Sequence, residues 1–180
     1  MEEFSYELKI PRERIAVLIG TDGSIKQELE SQTDSTIDVD SKEGDVKISS
    51  SNSVNLYILK DIIKAVGRGF NPEIAMSLLK PDYVLELLSL SDYVKSQNQM
   101  LRLKGRVIGK GGKARETLEE FTETSISVYG KTIAIVGFCD HVAVCKKAVE
   151  SLLSGSPHSS VYKWLEKHRK AQKMLDVAGF

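Results

Sequence analysis

One motif occurs twice in this chain of 180 residues, with its two copies 89 positions apart in a single register. Each copy is a Gly-x-x-Gly loop, at residues 20–23 and 109–112, between two segments with helical periodicity. The motif alone is a weak signal, but apolar residues around it match in the same register: Ile19 with Ile108, Leu29 with Leu118, Ile37 with Ile126, and Val39 with Val128. This self-similarity indicates an internal duplication, so the chain should contain two copies of one small fold.

The patterning around each loop predicts the same order of elements: strand, helix, loop, helix, strand, hairpin, strand, helix. In the first copy, strands are expected over 6–10, 37–39 and 46–48, and helices over 11–19, from 25 to a break in the polar run at 31–35, and over 56–66. In the second copy, strands are expected over 83–90, 125–129 and 132–136, and helices over 97–108, 113–121 and 141–153. A basic helix over about 161–174 is predicted to follow the second copy.

Charge is divided unevenly between the two copies. The whole chain has 25 Lys/Arg and 25 Asp/Glu, yet residues 1–80 carry 10 against 14 and residues 81–180 carry 15 against 11. Overall neutrality therefore hides a basic second half, which suits a polyanionic partner.

Several classes of protein are excluded by composition and spacing. Cys139 and Cys145 lie six positions apart in one predicted helix, which fits neither a zinc site nor a disulfide framework, so we expect small buried side chains and no metal or cofactor. No apolar run approaches the roughly 18 residues of a membrane span. Glu119 and Glu120 resemble a carboxylate pair, but they are adjacent on a helix and point to different faces. No other catalytic grouping of residues is found in the sequence. We expect a soluble, cytoplasmic protein that is not an enzyme.

The second loop lies in the stretch Arg106-Val-Ile-Gly-Lys-Gly-Gly-Lys-Ala-Arg115, which has the composition of an anion-binding turn. Glycines permit positive φ and close approach of a ligand, and the helix that follows presents unpaired N–H groups and the positive end of its dipole. Lysine and arginine side chains add full charges. The predicted binding residues of this stretch are Gly109, Lys110, Gly111, Gly112, Lys113 and Arg115.

Helix, Gly-x-x-Gly and helix against a three-stranded sheet resembles the type I KH domain, an RNA-binding module. Three stretches further resemble the archaeal and eukaryotic tandem-KH small-subunit assembly factors, called Dim-two or Pno-one: Gly69-Phe-Asn-Pro-Glu-Ile-Ala with Asp82-Tyr-Val-Leu-Glu, Ile126-Ser-Val-Tyr-Gly-Lys-Thr-Ile-Ala-Ile-Val-Gly137, and Gly155-Ser-Pro-His-Ser-Ser-Val-Tyr-Lys-Trp-Leu165. The first half matches mainly as a KH domain, and less as this family.

The resemblance implies an α+β fold of two type I KH domains packed together, each with a three-stranded sheet and helices on one face, plus a C-terminal helix. The expected division is a first KH domain over 1–70, a packed linker helix over 71–81, a second KH domain over 82–155 and a basic helix over 156–180. The linker assignment rests on Ile74, Ala75, Leu78 and Leu79, which recur at helical spacing.

The implied function is non-catalytic. The family holds the 3′ end region of precursor small-subunit (16S) rRNA near its maturation cleavage, as an assembly and processing adaptor in ribosome biogenesis. Implied partners are single-stranded RNA, the endonuclease that cuts the rRNA 3′ end and, in archaea, the alpha subunit of translation initiation factor two. We expect a monomer.

Charged and apolar side chains should form a groove beside the second loop. Unpaired bases can lie on an apolar floor while polar groups read their edges. The predicted basic wall is Arg102, Lys104 and Arg106, and the predicted floor is Val107, Ile108, Ile126 and Val128.

The first loop, Gly20-Thr21-Asp22-Gly23, should be a weak site. Asp22 would stand where a phosphate must pass, in a half with net negative charge. The first copy could instead brace the second or dock a protein, and Lys26 could partly offset Asp22.

Other residues fit more than one role. Tyr129 and Lys131 fit an RNA contact or edge packing, and His158 fits a structural hydrogen bond or an RNA contact. The basic helix, with Lys163, Lys167, Arg169, Lys170 and Lys173, fits a solvated face, an RNA contact or a partner contact, with Trp164 and Leu165 docking it. Rival functions are a general KH module of mRNA or exosome-type complexes and a protein-interaction adaptor.

Overall fold

The computed structural model describes residues 3–179. The chain divides into two compact units, Met1–Leu85 and Glu86–Phe180. Each unit contains one copy of the sequence repeat.

The first unit has the predicted element order around a three-stranded antiparallel sheet. Strand order is β1-β3-β2, and Ile48 of the central strand lies between Tyr6 and Ile37. The elements are β1 (Phe4–Lys9), α1 (Arg12–Ile19), α2 (Ser24–Thr33), β2 (Ser35–Asp40), β3 (Asp45–Ser50), α3 (Ser53–Gly67) and α4 (Pro72–Met76). A 3₁₀ turn, Ser77–Leu79, extends α4, and Ala75 and Leu78 are buried as this linker packs on α3.

The second unit repeats the order, with strands arranged β4-β6-β5. Its elements are β4 (Tyr83–Ser89), α5 (Gln97–Ile108), α6 (Lys113–Thr122), β5 (Ser125–Tyr129), β6 (Thr132–Phe138), α7 (Cys139–Leu153) and α8 (His158–Ala178). The α+β class, the β-α-α-β-β-α order of both copies and the C-terminal helix are confirmed.

The second helix of the first copy ends inside the polar run 31–35, as expected, and Thr33 is its last residue. The Thr33 hydroxyl donates to the Leu29 carbonyl at 2.7 Å, and Asp34 ends the helix in the left-handed conformation with φ 46°. Polar residues therefore continue this helix, because Thr33 returns a hydrogen bond to the preceding turn and Asp34 tolerates positive φ.

The C-terminal helix is longer than its apolar pattern predicted. It begins at His158, directly after Pro157, and runs to Ala178. Val161 and Leu165 are buried in the core of the second unit, while Met174 and Val177 are exposed. Packing therefore holds the first half of α8, and the second half continues as a helix beyond those contacts.

The two cysteines lie in α7 in different environments. Cys145 is fully buried, and burial raises the pKa of its thiol, whereas Cys139 is half-buried. The prediction of a buried side chain holds for Cys145 alone. Within residues 3–179 no helix combines the length and apolar content needed to cross a membrane.

Candidate nucleic-acid interface

The second loop has a backbone that only glycine adopts at its first position. Gly109 has φ 73° and ψ 177°, a region essentially closed to other residues. A Cβ built there would lie 2.5 Å from the Ala114 Cβ and 2.7 Å from the Ala114 nitrogen. Gly111 and Gly112 also have positive φ, at 62° and 79°, but a Cβ on either would meet no atom within 4 Å. The first glycine therefore fixes the turn, and the other two leave its outer surface open.

The turn leads directly into α6, whose first amides are not capped. Gly112 stands at the N-cap position, and no side chain accepts a hydrogen bond there. Unpaired N–H groups and the helix dipole at such an end favour an anion. Because the Lys113 N–H already donates to the Lys110 carbonyl, a phosphate here would depend on the nearby cations as well as on the helix end.

Three cations surround this turn. Lys110 and Lys113 are exposed, and Arg115 is half-buried on the first turn of α6. The Nε of Arg115 is buried and has no hydrogen-bond partner among the described residues. A buried unpaired donor is costly, and a ligand acceptor would remove that cost. Arg115 therefore brings a half-buried guanidinium with one unsatisfied donor to the first turn of α6.

The floor of the groove is narrower than the sequence indicated. Ile108 and Val128 are half-buried and open to a ligand. Val107 and Ile126 are 0% and 3% exposed and belong to the core, so the prediction that they line the floor is wrong. Helical and strand periodicity identifies apolar residues, but it does not separate a core position from its neighbour at the edge of the groove.

The three basic residues predicted on α5 lie on different sides of that helix. Lys104 is one turn before Ile108 and shares its face, which is the groove side. Arg106 turns the other way: its Nε donates to the Leu152 carbonyl at 2.9 Å and its terminal nitrogen donates to the Ser156 carbonyl. Arg102, one turn before Arg106, lies exposed on that second flank. The structure therefore places Lys104 on the same side of α5 as Ile108 and uses Arg106 to hold the end of α7.

One residue of this face was missed by the sequence analysis. Leu101 is 70% exposed and lies on the same side of α5 as Lys104 and Ile108. Its signal was present, because Leu101 falls outside the buried stripe of Met100, Leu103 and Val107. Leu101 therefore adds one exposed apolar side chain to the side of α5 that carries Lys104 and Ile108.

The first loop has nearly the same backbone as the second. Gly20 has φ 75° and ψ 178°, and Asp22 has φ 53° and ψ 27°, where Gly111 has φ 62° and ψ 22°. Asp tolerates the left-handed region better than most residues, so Asp22 fits this turn without changing it. Any difference between the two loops is therefore in their charge.

A cavity of about 370 Å³ lies beside the first loop. Its lining includes Lys26, Glu30 and Asp38, and the Lys26 Nζ lies 3.9 Å from the Glu30 carboxylate. The corresponding residues of the second unit, 89 positions on, are Arg115, Glu119 and Ser127. Lys26 is thus engaged with Glu30 in a groove that also contains Asp38, rather than being a free counterion for Asp22.

The residues with alternative roles are resolved in part. His158 Nε2 lies 2.7 Å from the Arg106 carbonyl oxygen, so it makes a structural hydrogen bond. Leu165 docks α8 with 2% exposure, whereas Trp164, which was expected to dock the helix with it, is 40% exposed. Tyr129 is half-buried at the end of β5. Across residues 3–179 no cluster of His, Cys, Asp or Glu could hold a metal ion.

Comparison with known proteins agrees with this architecture. The eukaryotic type KH-domain family (KH-domain type I) that describes the second domain of PNO1 matches residues 84–170, and the KH domain family matches residues 5–64. A KH domain-containing protein of Methanocaldococcus jannaschii is 44% identical over 170 residues, which cover 92% of this chain and 74% of that protein.

A fungal relative and a solved structure extend the comparison. The pre-rRNA-processing protein PNO1 of Debaryomyces hansenii is 36% identical over 105 residues, or 57% of this chain and 41% of that protein. The chain therefore spans less than half the length of this relative. A chain in the crystal structure of the a/eIF2alpha–aDim2p–rRNA complex from Pyrococcus horikoshii is 41% identical, covers 94% of this chain and 96% of its own length, and has a TM-score of 0.88. Taken with the two loops and the two sheets, these likenesses show that the chain belongs to the Dim2p/PNO1 family of tandem KH-domain proteins.

Proposed function

We propose that this protein binds unpaired RNA with its second unit and acts in small ribosomal subunit biogenesis, where it holds the 3′ end region of (pre-)16S rRNA. The observation that carries the proposal is the second groove. There an uncapped helix end, exposed lysines and the unpaired Nε of Arg115 surround one open turn.

The ligand is single-stranded because an A-form duplex hides its base edges in a deep, narrow groove. A phosphate held at residues 109–112 leaves the adjoining bases beside Ile108 and Val128, which are open to a ligand. Arg115 and Lys104 then flank the bases. The proposed site residues are Gly109, Lys110, Gly111, Gly112, Lys113, Arg115, Lys104, Ile108 and Val128, with Leu101 added. Arg102 and Arg106 lie on the other side of α5, outside this groove.

The choice of rRNA is supported by the relatives. One is described as a pre-rRNA-processing protein, and the solved chain from Pyrococcus horikoshii was crystallised in a complex with rRNA and a/eIF2alpha. The proposal therefore extends to an adaptor role, with the alpha subunit of initiation factor two and the rRNA 3′-end endonuclease as protein partners. The adaptor is cytoplasmic and performs no catalytic step itself.

The first unit is proposed as the weaker RNA site or as a docking module. Asp22, Glu30 and Asp38 give its groove a negative character, while its backbone keeps the geometry of a clamp. The proposed domain division stays at 1–70, 71–81, 82–155 and 156–180.

The test replaces Lys110 and Gly111 together with aspartate. Two carboxylates at a phosphate site introduce like-charge repulsion of several kcal/mol, so the affinity for an unpaired RNA ending in the small-subunit 3′ sequence should fall by roughly 100-fold or more. Fluorescence anisotropy with labelled RNA measures this. The fluorescence of Trp164, the single tryptophan, verifies that the second unit remains folded.

Thr21→Asp is the matched control, because residue 21 corresponds to Lys110 in the other copy. It adds a carboxylate to the first loop and should change the affinity little. An unchanged affinity of the Lys110→Asp/Gly111→Asp variant would show that the second loop is not the RNA site.

A further inference from the structure

We propose that the outer face of α8 is a second RNA-backbone surface, which lengthens the footprint of a strand held at the second loop. The face consists of Lys163, Lys167 and Lys170. This inference rests on the proposed function, since it names where a longer RNA continues after the clamp.

The helix is anchored next to the clamp. His158, its first residue, bonds the carbonyl of Arg106, which is three residues before Gly109. Arg106 in turn donates to the carbonyl of Ser156, just before α8. One turn into α8, Tyr162 is half-buried, and α8 packs against α6. The N-terminal part of α8 is therefore fixed beside the same end of α5 and α6 that carries the loop.

The anchored part of α8 is rigid enough to present a surface. Val161 and Leu165 are 4% and 2% exposed within the core of the second unit. Further along, the guanidinium of Arg169 lies 6.0 Å from the ring centre of Phe121 on α6. These contacts orient one side of the helix inward, so the opposite side is fixed toward solvent.

That solvent side carries three exposed lysines. Lys163, Lys167 and Lys170 are spaced i, i+4 and i+7, so they share one face over about two turns, or roughly 10 Å. Lys170 lies 3.0 Å from Glu166, whereas neither Lys163 nor Lys167 has an ion-pair partner within residues 3–179. Like charges four residues apart destabilise a helix. A solvated face would more often alternate its signs, so this arrangement favours a polyanion.

The charge of the face selects a nucleic-acid backbone rather than base recognition. Lysine ammonium groups act as mobile point charges on phosphates and carry no sequence information. Lys110 and Lys113 at the clamp are exposed as well, and α6, which begins at Lys113, packs against α8. The proposed path therefore runs from the clamp onto the lysines of α8.

The experiment compares short and long RNAs. A short RNA of about six nucleotides fills the clamp, which holds four, and two longer RNAs of about sixteen nucleotides extend it either 5′ or 3′. The variant Lys163→Gln/Lys167→Gln/Lys170→Gln should bind the short RNA as the unmodified protein does. It should lose roughly tenfold in affinity for one of the two extended RNAs. Each lost phosphate contact lowers the slope of log affinity against log salt by about 0.7 for a single strand, so the slope should fall by about 2.

The matched control is Lys9→Gln/Lys42→Gln/Lys47→Gln, which removes three exposed lysines from the first unit and gives the same net charge. It should leave affinity and slope for all three RNAs near their original values. Equal losses in both variants would show a net-charge effect and overturn the proposal. If the α8 variant bound both extended RNAs as tightly as the unmodified protein does, the proposal would also be overturned. The lysine face would then contact either a protein partner or only solvent.

Failure of the proposed function gives a different result. If the unmodified protein does not bind the short RNA, or binds it equally after Lys110→Asp/Gly111→Asp, the clamp itself is misassigned. A loss confined to one extended RNA, with the short RNA unaffected, supports the α8 surface.

Discussion

The two KH units have the same fold and share individual side-chain hydrogen bonds, but their loops and grooves differ in charge. Glu30 and Glu119 each accept a hydrogen bond at 2.8 Å from the first buried residue of the next strand, Ile37 and Ile126. Thr33 and Thr122 each donate at 2.7 Å to the carbonyl four residues before. The duplication has therefore kept the bonds that build the fold and changed the groups that a ligand meets.

Each unit has one arginine on its first helix that binds the end of its third helix. These two arginines do not occupy matching positions in the sequence repeat. Arg14 donates to the carbonyls of Val66 and Phe70 at 2.8 and 2.7 Å, as Arg106 does to those of Leu152 and Ser156. In both units the accepting carbonyls are four residues apart at the end of the third helix. The arginines differ by one turn relative to their loops, so the structural need is met from either position on the first helix.

The outer faces of the two sheets differ as well. Strand β3 alternates between exposed and buried residues, and its exposed Asp45 and Lys47 face away from the helices. Strand β6 is buried at every position from Thr132 to Gly137. The central strand of one sheet thus has a solvated charged face, and the central strand of the other is buried along both faces.

The largest loss of stability is expected from replacing the first glycine of either loop, since the two units share this turn. Gly20→Ala and Gly109→Ala should each destabilise their own unit by about 2–4 kcal/mol, because both glycines have φ near 75° and both would place a Cβ 2.5 Å from a side chain five residues later. Hydrogen exchange measures each unit separately. Gly112→Ala is the control and should cost less, since no atom lies within 4 Å of its Cβ. Equal costs at Gly109 and Gly112 would contradict this account.

The anchoring arginines should have the next largest effect. Arg14→Ala and Arg106→Ala each remove two hydrogen bonds to carbonyls, so each should lower the stability of its unit by about 1–3 kcal/mol. Denaturant unfolding followed at Trp164 reports on the second unit, and hydrogen exchange reports on the first. Arg102→Ala, one turn from Arg106 and exposed, is the control. Loss of RNA affinity from Arg106→Ala without loss of stability would return Arg106 to the groove.

A charge change in the first loop tests the proposed difference between the units. Asp22→Lys should raise RNA affinity by roughly threefold to tenfold, because it converts a repulsion of phosphate into an attraction on an unchanged backbone. Anisotropy titration at two salt concentrations measures the affinity and its salt dependence. Reduced affinity would show that the first loop already serves RNA through Asp22.

The smallest loss of stability should come from the two glutamates that accept a hydrogen bond from the next strand, and it should be the same in both units. Glu30→Gln and Glu119→Gln keep the shape of the side chain but weaken its bond to the strand amide, so each should cost about 1 kcal/mol or less. Thermal unfolding of the two variants, compared with Glu28→Gln on the exposed face of α2, checks this. A loss in one unit alone would mean that the two bonds are not equivalent.

Much of the fold was predictable because the repeat, the helical periodicity and the turn residues agree with one another. Composition and spacing predicted the glycine turn, and the backbone has it; the binding role of Lys110 stays a prediction. The rest was not predictable for particular reasons. Arg106 and Arg115 look alike in the sequence, yet one binds the end of α7 and the other keeps a buried, unpaired Nε.

The sequence by itself determined that two KH copies exist, that one loop is basic and the other acidic, and where their helices and strands fall. These properties depend on local periodicity and on side-chain charge, both of which are present in the linear chain. Only the tertiary structure decided which apolar residues are core and which line the groove, which arginine is available, and that α8 is fixed beside the loop. Those outcomes depend on contacts such as that of His158 with Arg106, 52 residues apart, and no local pattern encodes such a distance.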